Sequence, residues 1–542
     1  MNHLLRRLVA TLVLGVLFCN PVLGASTNTF VVVHTNLEPI AAGKFEPTWD
    51  SLDQYQCPQW FAEAKFGIWA HWGPQCEPED GDWYARAMYQ PGSKQFQYHL
   101  AHYGPQKDFG FKDVIHEWKA QNWDPDKLIK LYKSAGAQYF MALADHHDNF
   151  DNWDSKYQPW NSVNVGPHKD IIGGWAAAAR KNGLRFGVSV HAAHAWMWYE
   201  PAQAYDGNLT AADGKGLWWD GLNPQDLYAQ NHPHSVGWNN PKAIGSQWDW
   251  DNGASTPDQA YCDKFYNRTA DLISKYHPDL IYFDDTALPL WPVSDAGLKL
   301  AADFYNSSIQ WHGTNDDGVL FGKVLTPEQR QCMVWDIERG HANEIEPQPW
   351  QSDTCIGGWH YDRAIYNRNG YKTAPTVIQM MTDVVSKNGC FLLSIPVRAD
   401  GTIDDKEVKV VQGIADWMRV NRQCIFGTHP WRVFGEGPAM VGSAPRAQGF
   451  NEGKGRPYTA ADVRFTQKGN VIYAIVMGAP TNGVSIKSLG QSSIPGEKIK
   501  SVKMLGSWRG VRWQETDGAL EIAQPKNFPN DFANVFKVTF AR

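Results

Sequence analysis

The feature that most constrains the fold is an alternation, between about residues 60 and 400, of short apolar runs with amphipathic helical patterns. This alternation is typical of βα units, in which consecutive strands lie parallel in one sheet. We therefore predict a parallel α/β architecture for this part of the chain. The six runs predicted as strands are KFGIWAHWG, AQYFMALADHH, LRFGVSVHAA, DLIYFDD, CMVWDIERG and CFLLSIP.

Polar side chains end nearly every one of these runs. In parallel α/β architectures, active sites lie beyond the carboxyl ends of the strands, so these side chains are the candidates for function. Core packing does not explain why so many apolar strands would each end in a histidine or a carboxylate. The residues concerned are His71, Asp145, His146, His147, Asp148, His191, His194, Asp284, Asp285, Asp336 and Glu338.

The pattern of apolar and polar residues changes after about Trp431. Short alternating runs such as VRFTQKGNVIYAIVMG and VFKVTF are separated by Gly, Asn and Pro turns, a pattern typical of an antiparallel β-sandwich. We expect a catalytic α/β domain over residues 25–430 and a sandwich over residues 431–542. The sequence leaves open whether the second domain only covers the first or also binds sugar.

The amino terminus has the pattern of a signal peptide. Arg6 and Arg7 precede the apolar run LVATLVLGVLF, and small residues follow where a peptidase could cut. We predict a signal peptide over residues 1–24 and a secreted or periplasmic protein. The run is too short to span a membrane, and no later stretch resembles a membrane span. Lipidation at Cys19 is the alternative, which the bulky Phe18 before it disfavours.

Charge and composition narrow the class of ligand. The chain carries 50 basic and 57 acidic residues, a formal net charge of −7, which argues against a nucleic-acid polyanion as the main partner. Its 26 tryptophans are an unusually large number. Flat aromatic faces pack against the C–H faces of sugars as well as in protein cores. A neutral ligand therefore fits the composition better than a charged polymer.

Asp284 is the strongest candidate for a catalytic carboxylate. Cleaving a glycosidic bond through a covalent intermediate needs an ionised nucleophile and a protonated acid roughly 5 Å apart. Asp284 directly follows the apolar residues 280–283, which would project it into a partly dry pocket, whereas strand alternation points Asp285 elsewhere. The alternative is that both acids cap the following helix.

Glu338 is the candidate for the partner acid. It ends the run CMVWDIERG beside Arg339, and we expect Trp335 and Trp350 to form an apolar wall that keeps an acid protonated near neutral pH. Other acids lie close in the sequence, and the residues alone leave them open. They are Asp336, Glu344 and Glu346.

No metal or cofactor is expected. Adjacent histidines on a strand face opposite sides and rarely share an ion. We therefore interpret His146 and His147 as hydrogen-bonding partners of sugar hydroxyls, with stabilisation of their turn as the alternative. Of the eight cysteines, Cys19 belongs to the leader, and the other seven form no CxxC pair that would indicate a zinc site. One or two disulfides are permitted in an exported protein.

Several segments in a fixed order resemble the α-L-fucosidases, family 29 of the glycoside hydrolases, over essentially the whole mature chain. They are PTWDSLDQYQCPQWFAEAKFGIWAHWG, DGDWYARAMY, MALADHHDNFDNWDSKYQPWNS, PDLIYFDD and VSKNGCFLLSIPVRADGTI. The resemblance implies a (β/α)8-like barrel followed by an antiparallel β-sandwich. It also implies a retaining exo-glycosidase that hydrolyses terminal α-L-fucosyl residues of fucosylated glycans and needs no cofactor.

The same resemblance implies roles for individual residues. It places the nucleophile at Asp284 and sugar contacts at several strand ends and loops. The contacts carried over are His71, Asp82, Trp83, His146 and His147, to which we add His191 and Trp350 from their positions in the sequence.

The sequence departs from the family pattern at four places, the first being Asp82, where glutamate is commoner. A tyrosine that often follows the FG of the third strand is absent, and we expect that wall to be rebuilt by His191, His194 and Trp196. Gln351 follows Trp350 where some relatives carry an acid, and because an amide cannot donate that proton, Glu338 is the best remaining acid. Arg339 is the nearest counterpart of an arginine in the family's Asn-Asp-Arg-Trp segment.

Two other functions fit the same residues. The nearer is a retaining glycosidase for a related sugar such as α-L-galactose, which differs from L-fucose by a 6-hydroxyl. The other is a non-catalytic sugar-binding protein on a decayed barrel, which the presence of both Asp284 and Glu338 disfavours.

Overall fold

The part of the chain that the computed structural model describes comprises residues 30–229, 231–242, 250, 255–313, 316–440 and 450–541. The expected signal peptide, residues 1–24 with Cys19, lies outside these ranges. Within them, no helix combines the length and the apolar character that crossing a membrane would take.

Eight parallel strands form a closed barrel. They are β1 (Phe66–Ala70), β2 (Tyr139–Asp145), β3 (Arg185–Val190), β4 (Leu280–Thr286), β5 (Val319–Lys323), β6 (Val334–Glu338), β7 (Trp350–Cys355) and β8 (Gly389–Ser394). Each strand pairs with the next one along the chain, and β8 pairs back with β1. The predicted fold class is a (β/α)8-like barrel followed by an antiparallel β-sandwich domain, and the closed barrel and the antiparallel sheets after it confirm this class.

Helices surround the barrel and fill the connections between its strands. The α-helices of the described residues are α1 (Trp49–Leu52), α2 (Gln59–Ala64), α3 (Tyr84–Ala87), α4 (Lys94–His102), α5 (Phe111–Glu117), α6 (Pro125–Ser134), α7 (Ile171–Lys181), α8 (Ala195–Trp198), α9 (Glu200–Asp206), α10 (Pro224–Leu227), α11 (Gln259–Tyr276), α12 (Ala296–His312), α13 (Gln329–Cys332), α14 (Arg363–Asn367), α15 (Ala374–Ser386) and α16 (Asp405–Asn421). The helix α6 begins after Asp124, whose carboxylate accepts the amide hydrogen of Lys127 and caps the first turn. Between β6 and β7 the chain runs through the loop 339–349, all of it described and without a helix.

All six predicted strands are present, whereas β5 and β7 have no counterpart among the predictions. The β7 sequence WQSDTC is polar although every one of its residues is buried. Gln351 explains how: its Nε2 donates to Asp336 at 2.8 Å, and its Oε1 accepts from the Tyr139 hydroxyl at 2.9 Å. A strand that carries polar side chains in the buried interior of the barrel gives no apolar signal in the sequence.

Two antiparallel sheets follow the barrel. Their strands are β9 (His429–Glu436), β10 (Val463–Lys468), β11 (Val471–Val476), β12 (Val484–Ile486), β13 (Ile499–Met504), β14 (Trp513–Glu515), β15 (Leu520–Ile522) and β16 (Asn534–Phe540). The larger sheet has the order β13-β16-β11-β10-β9 and the smaller one β12-β15-β14. Both sheets bury side chains in one apolar core, including Phe465 and Phe536 from the larger and Ile486 and Leu520 from the smaller.

A buried ion cluster joins the larger sheet to the barrel. Asp383 of α15 accepts hydrogen bonds from Nε of Arg464 in β10 and from Nζ of Lys387, both at 2.6 Å. Burial opposes ionisation of Asp383, but the two cations outweigh burial and hold its pKa well below the usual value. The Trp417 indole adds a hydrogen bond to the carbonyl of Ala533. These contacts fix the sheets against the barrel helices.

Seven cysteines lie in the described residues, and none of them is paired with another. They are Cys57, Cys76, Cys262, Cys332, Cys355, Cys390 and Cys424. The disulfides that the sequence permits are therefore not formed among these residues, and this part of the fold is held without covalent cross-links.

Candidate active site

A cavity of about 250 Å³ opens at the carboxyl ends of the barrel strands. Its size is below the roughly 300–1,000 Å³ of pockets for drug-sized ligands, which suits one sugar ring better than a longer ligand. Aromatic rings, carboxylates, histidines and a lysine line it together. The lining residues are Trp69, His71, Trp83, His146, His191, Tyr282, Asp284, Asp285, Thr286, Lys323, Val324, Glu338, Trp359 and Phe450.

Asp284 projects from β4 with its carboxylate among three hydrogen-bonding groups. Its Oδ2 accepts from Nδ1 of His191 at 3.0 Å and lies 3.1 Å from Nε2 of His147. Its Oδ1 accepts from the ammonium of Lys323. Burial opposes the ionised form, but Lys323 and the two histidines outweigh burial and hold the pKa of Asp284 well below its usual value. The carboxylate is therefore ionised at neutral pH.

Glu338 ends β6 and contacts the same lysine. Its Oε2 accepts from Nζ of Lys323 at 2.7 Å. Burial raises the pKa of Glu338 above its usual value; Lys323 opposes this effect and the charge of Asp284 adds to it. Because both carboxylates bond to one nitrogen, the two bonded oxygens are at most about 6 Å apart, twice the usual hydrogen-bond length. The cavity thus holds an ionised carboxylate beside a more basic one.

The histidines His71, His146 and His191 are buried and face this cavity. Nε2 of Gln75 donates to Nδ1 of His146 at 2.8 Å, and the Gln75 oxygen accepts from the amide of Ala85, which fixes the orientation of the Gln75 amide. The neutral His146 ring therefore carries its proton on Nε2. Nδ1 of His71 and Nε2 of His191 have no partner among the described residues. Burial lowers the pKa of all three rings, to about 4 for His191, so the neutral rings offer donors and acceptors to a polar ligand.

Some of these side chains are close enough together to hold a cation. Two sets of three ligand atoms lie within 4.8 Å of one another, one from His71, His146 and His191, the other from His147, His191 and Asp284. In the second set a cation would lie beside the Lys323 ammonium, which already donates to Asp284, and like charges repel strongly in a buried site. That no metal is needed stays a prediction.

Two acids at the end of β2 hold the local backbone. Asp145 accepts the amide hydrogens of His191 and Ala192 at 2.8 and 2.9 Å, and so fixes the end of the neighbouring strand β3. Asp148 accepts the amide hydrogen of Phe150 at 3.3 Å. Both acids are buried, and their contacts place the histidines around the cavity.

Asp285 borders the cavity, but its carboxylate is engaged elsewhere. Its Oδ1 lies 2.8 Å from Nε2 of His194 and accepts the amide hydrogen of Thr286, while Oδ2 accepts that of Leu290. Strand alternation therefore separates it from Asp284, as expected. His194 is fully buried behind this contact and does not line the cavity.

The alternative acids lie away from the cavity. Asp336 is two residues before Glu338 on the same face of β6, and Gln351 occupies its Oδ1. Glu344 is exposed in the loop after β6, and Glu346 lies further along that loop. Of these four acids, Glu338 is the one that lines the cavity.

Trp83 lines the mouth of the cavity with 40% of its surface exposed. Two other residues expected to contact the sugar, Asp82 and His147, lie behind the lining. Oδ1 of Asp82 accepts the amide hydrogen of His360 at 2.6 Å. Nδ1 of His147 donates to the carbonyl of His191 at 2.7 Å. Both side chains hold neighbouring segments of the cavity wall in place.

Trp350 does not reach the cavity, contrary to the expectation of a sugar contact. It is the first residue of β7, at the end of the barrel opposite the cavity, and its Nε1 donates to the carbonyl of Lys387 at 2.9 Å. Trp335 pairs with it near the start of β6 and likewise does not line the cavity. Trp196, expected in the cavity wall, instead stacks on His232 with ring centroids 3.9 Å apart.

The cavity residues Lys323, Trp359 and Phe450 were outside the sequence-based set. Lys323 ends the run VLFGK, and the rule that polar residues finish apolar strands would have found it. No local pattern connects Phe450 with the barrel, because it follows all of the barrel strands in the sequence. Arg339, considered as the family's arginine, lies 3.8 Å from Glu452 instead of lining the cavity.

Family models match most of the chain. The α-L-fucosidase model matches residues 32–423, and the model of the α-L-fucosidase C-terminal domain matches residues 456–539. The tissue α-L-fucosidase of Homo sapiens is 26% identical over 515 residues, which cover 92% of each chain. The tissue α-L-fucosidase of Bos taurus is 25% identical over 518 residues, which cover 92% of this chain and 91% of the relative.

Solved structures share the fold. The crystal structure of Thermotoga maritima α-fucosidase in complex with a mechanism-based inhibitor has a TM-score of 0.67 at 24% identity, and it covers 91% of this chain and all of that one. At this identity the likeness concerns the fold, whereas the family is shown by the first model, which alone matches more than half of the chain. The chain is a glycoside hydrolase and belongs to the α-L-fucosidase family.

Proposed function

We propose that this enzyme hydrolyses terminal α-L-fucosyl residues of fucosylated oligosaccharides or glycoconjugates with retention of configuration, with Asp284 as nucleophile and Glu338 as acid and base. The observation that carries the proposal is the pairing of these two carboxylates through Lys323. Retaining glycosidases hold their carboxyl groups roughly 5–5.5 Å apart and inverting ones about 6.5–9.5 Å apart. One ammonium shared by both carboxylates supports the shorter separation.

The two carboxyls have the ionisation that a double displacement needs. In the first step, Asp284 attacks the anomeric carbon while Glu338 protonates the glycosidic oxygen, so that the bond to the leaving group breaks and the sugar remains on Asp284 with inverted configuration. In the second step, Glu338 as carboxylate takes a proton from water, and the water oxygen attacks the same carbon and releases Asp284. Two inversions give net retention. The low pKa of Asp284 and the raised pKa of Glu338 support these roles.

The neutral histidines bind the sugar hydroxyls in this proposal. His146 offers the proton on Nε2 as a donor, while His71 and His191 each present a nitrogen that has no partner among the described residues. An unpaired buried polar group costs about 1–3 kcal/mol, and a bound hydroxyl removes that cost. Trp83 at the mouth covers an apolar face of the ring.

Replacing Lys323 with methionine is expected to shift both limbs of the pH dependence of kcat/KM to higher pH, by about one unit or more. The lysine charge lowers the pKa of both Asp284 and Glu338. Without it, Asp284 ionises only at higher pH and Glu338 keeps its proton to higher pH. The profile of kcat/KM against pH reports the free enzyme and measures both limbs.

The matched control for this experiment is Lys299→Met. Lys299 pairs with Asp295 at 2.8 Å and is about as buried as Lys323, but it does not line the cavity. Its pH profile should coincide with that of the wild type. A Lys323→Met profile that also coincides would contradict the role given to this charge.

The proposed function is tested with 4-nitrophenyl α-L-fucoside and the corresponding α-L-galactoside, using NMR to identify the sugar anomer released first. We expect faster hydrolysis of the fucoside and L-fucose that appears first as the α anomer, because two inversions retain the configuration. A first-formed β anomer would rule out double displacement. Faster release of 4-nitrophenol from the galactoside would identify α-L-galactosides as the preferred substrates. No release from either compound would refute the proposal.

A further inference from the structure

Two apolar side chains on the rim of the cavity, Phe450 and Val324, are exposed over 57% and 42% of their surface. Phe450 donates its backbone amide hydrogen to the carbonyl of Glu338 at 2.9 Å. Val324 directly follows Lys323, whose ammonium contacts the Glu338 carboxylate. Phe450 therefore borders the part of the cavity where Glu338 lies, and Val324 lines the same cavity beside Lys323.

The backbone around Phe450 is attached to the loop after β6 at several points. Oδ1 of Asn451 accepts the amide hydrogen of His341 at 2.9 Å, and its Nδ2 donates to the carbonyl of the same residue at 3.1 Å. The amide of Glu452 donates to the carbonyl of Arg339 at 2.9 Å. These bonds fix the backbone that carries Phe450 at the rim.

Neither packing nor backbone preference accounts for an aromatic residue at position 450. Its φ is 53°, in the left-handed region where glycine and asparagine are common and bulky residues are disfavoured. Val324 has φ 54°, which is unusual for a β-branched residue. Exposed apolar side chains in a disfavoured backbone conformation beside a cavity indicate a role in binding.

The leaving group lies on this side of the cavity, because Glu338 donates its proton to the glycosidic oxygen. We propose, on the basis of the proposed function, that Phe450 and Val324 form a leaving-group subsite for a pyranose ring, with the Phe450 ring against a C–H face of the sugar that carries the fucosyl residue. Aromatic faces bind such groups and exclude water. Contacts with the leaving sugar stabilise the transition state in which its bond to fucose breaks, and so raise kcat/KM. The subsite therefore favours those fucosylated glycans whose leaving sugar fits it.

The subsite is tested with Phe450→Ala and two substrates that differ in the leaving group. One is α-L-fucosyl fluoride, and the other is the best cleaved of four fucosyl disaccharides with α-1,2, α-1,3, α-1,4 or α-1,6 linkages. We expect kcat/KM to fall about tenfold for the disaccharide and to change less than about twofold for the fluoride. The variant Phe450→Trp should stay close to the wild type on both substrates.

Two further variants separate the subsite from effects on folding. Because φ at position 450 is positive, Phe450→Gly should not lower the midpoint of thermal unfolding, and its activity on the disaccharide should fall as in Phe450→Ala. Trp508 is an aromatic residue that is 87% exposed and does not line the cavity, so Trp508→Ala should change neither activity.

Two results would overturn the subsite, namely equal losses of kcat/KM on both substrates in Phe450→Ala, or no loss on either. A wild-type enzyme that does not cleave α-L-fucosyl fluoride would instead refute the proposed function, because fluoride needs neither an aromatic platform nor a protonated acid to leave. The two failures are therefore distinguishable in one set of measurements.

Discussion

Asp284→Ala is expected to lower kcat for 4-nitrophenyl α-L-fucoside by about 10,000-fold or more. Removing the nucleophile of a covalent mechanism costs factors of this size in other hydrolases. The donors to Asp284, from Lys323 and His191, can stabilise a carboxylate but cannot replace its attack on the anomeric carbon. Asp284→Asn, which keeps the size of the side chain, should lose activity to a similar degree. Such a result would show that the loss in Asp284→Ala does not arise from the space left by the shortened side chain.

Azide gives the nucleophile variant a second readout. The shortened side chain of Asp284→Ala leaves room on that side of the sugar, and azide entering there displaces the leaving group once. The product should therefore be β-L-fucosyl azide, with inverted configuration. Asp279→Asn, directly before the same strand, is the matched control, since it can still accept the amide hydrogen of Phe186 and should remain active. Normal activity of Asp284→Ala would eliminate the assignment.

Both carboxylates are within reach of reasoning from the sequence. Asp284 and Glu338 each finish an apolar run, and in a parallel barrel all such ends meet at one rim. Alternation along the strand then separates Asp284 from Asp285, whose carboxylate contacts His194 instead. Periodicity and the rule about strand ends suffice for these inferences, since neither depends on which strands become neighbours.

Other parts of the site depend on tertiary contacts that the sequence does not display. The strand β7 is polar because Gln351 finds its partners on other strands inside the barrel. Trp350 is near Gln351 in the sequence but lies at the end of the barrel away from the rim. Phe450 reaches the rim only because its amide bonds to the carbonyl of Glu338. Nearness in sequence therefore suggests Trp350 as a ligand contact and gives no indication of Phe450.

Glu338→Ala is expected to lower kcat/KM for the best fucosyl disaccharide by about 1,000-fold, within the range of general acid catalysis, and for α-L-fucosyl fluoride by far less. A sugar leaving group needs a proton on its oxygen, whereas fluoride leaves without one. Since kcat/KM reports the steps up to formation of the covalent intermediate, the difference between the two substrates isolates the role of the acid. Similar losses on both substrates would argue against Glu338 as the proton donor.

The role of Glu338 as base is tested by azide. The substrate is α-L-fucosyl fluoride, because its first step needs no acid. Without the Glu338 carboxylate, water is not activated and the covalent intermediate accumulates. Azide needs no base, so it should raise kcat of Glu338→Ala and give α-L-fucosyl azide. Glu344→Ala is the matched control, because Glu344 is exposed and outside the cavity lining, and it should behave as the wild type. If azide instead raises kcat of Glu344→Ala, the role of acid and base belongs to Glu344. Opposite azide anomers from the Asp284 and Glu338 variants would assign the two carboxylates to opposite faces of the sugar, which loss of activity alone cannot do.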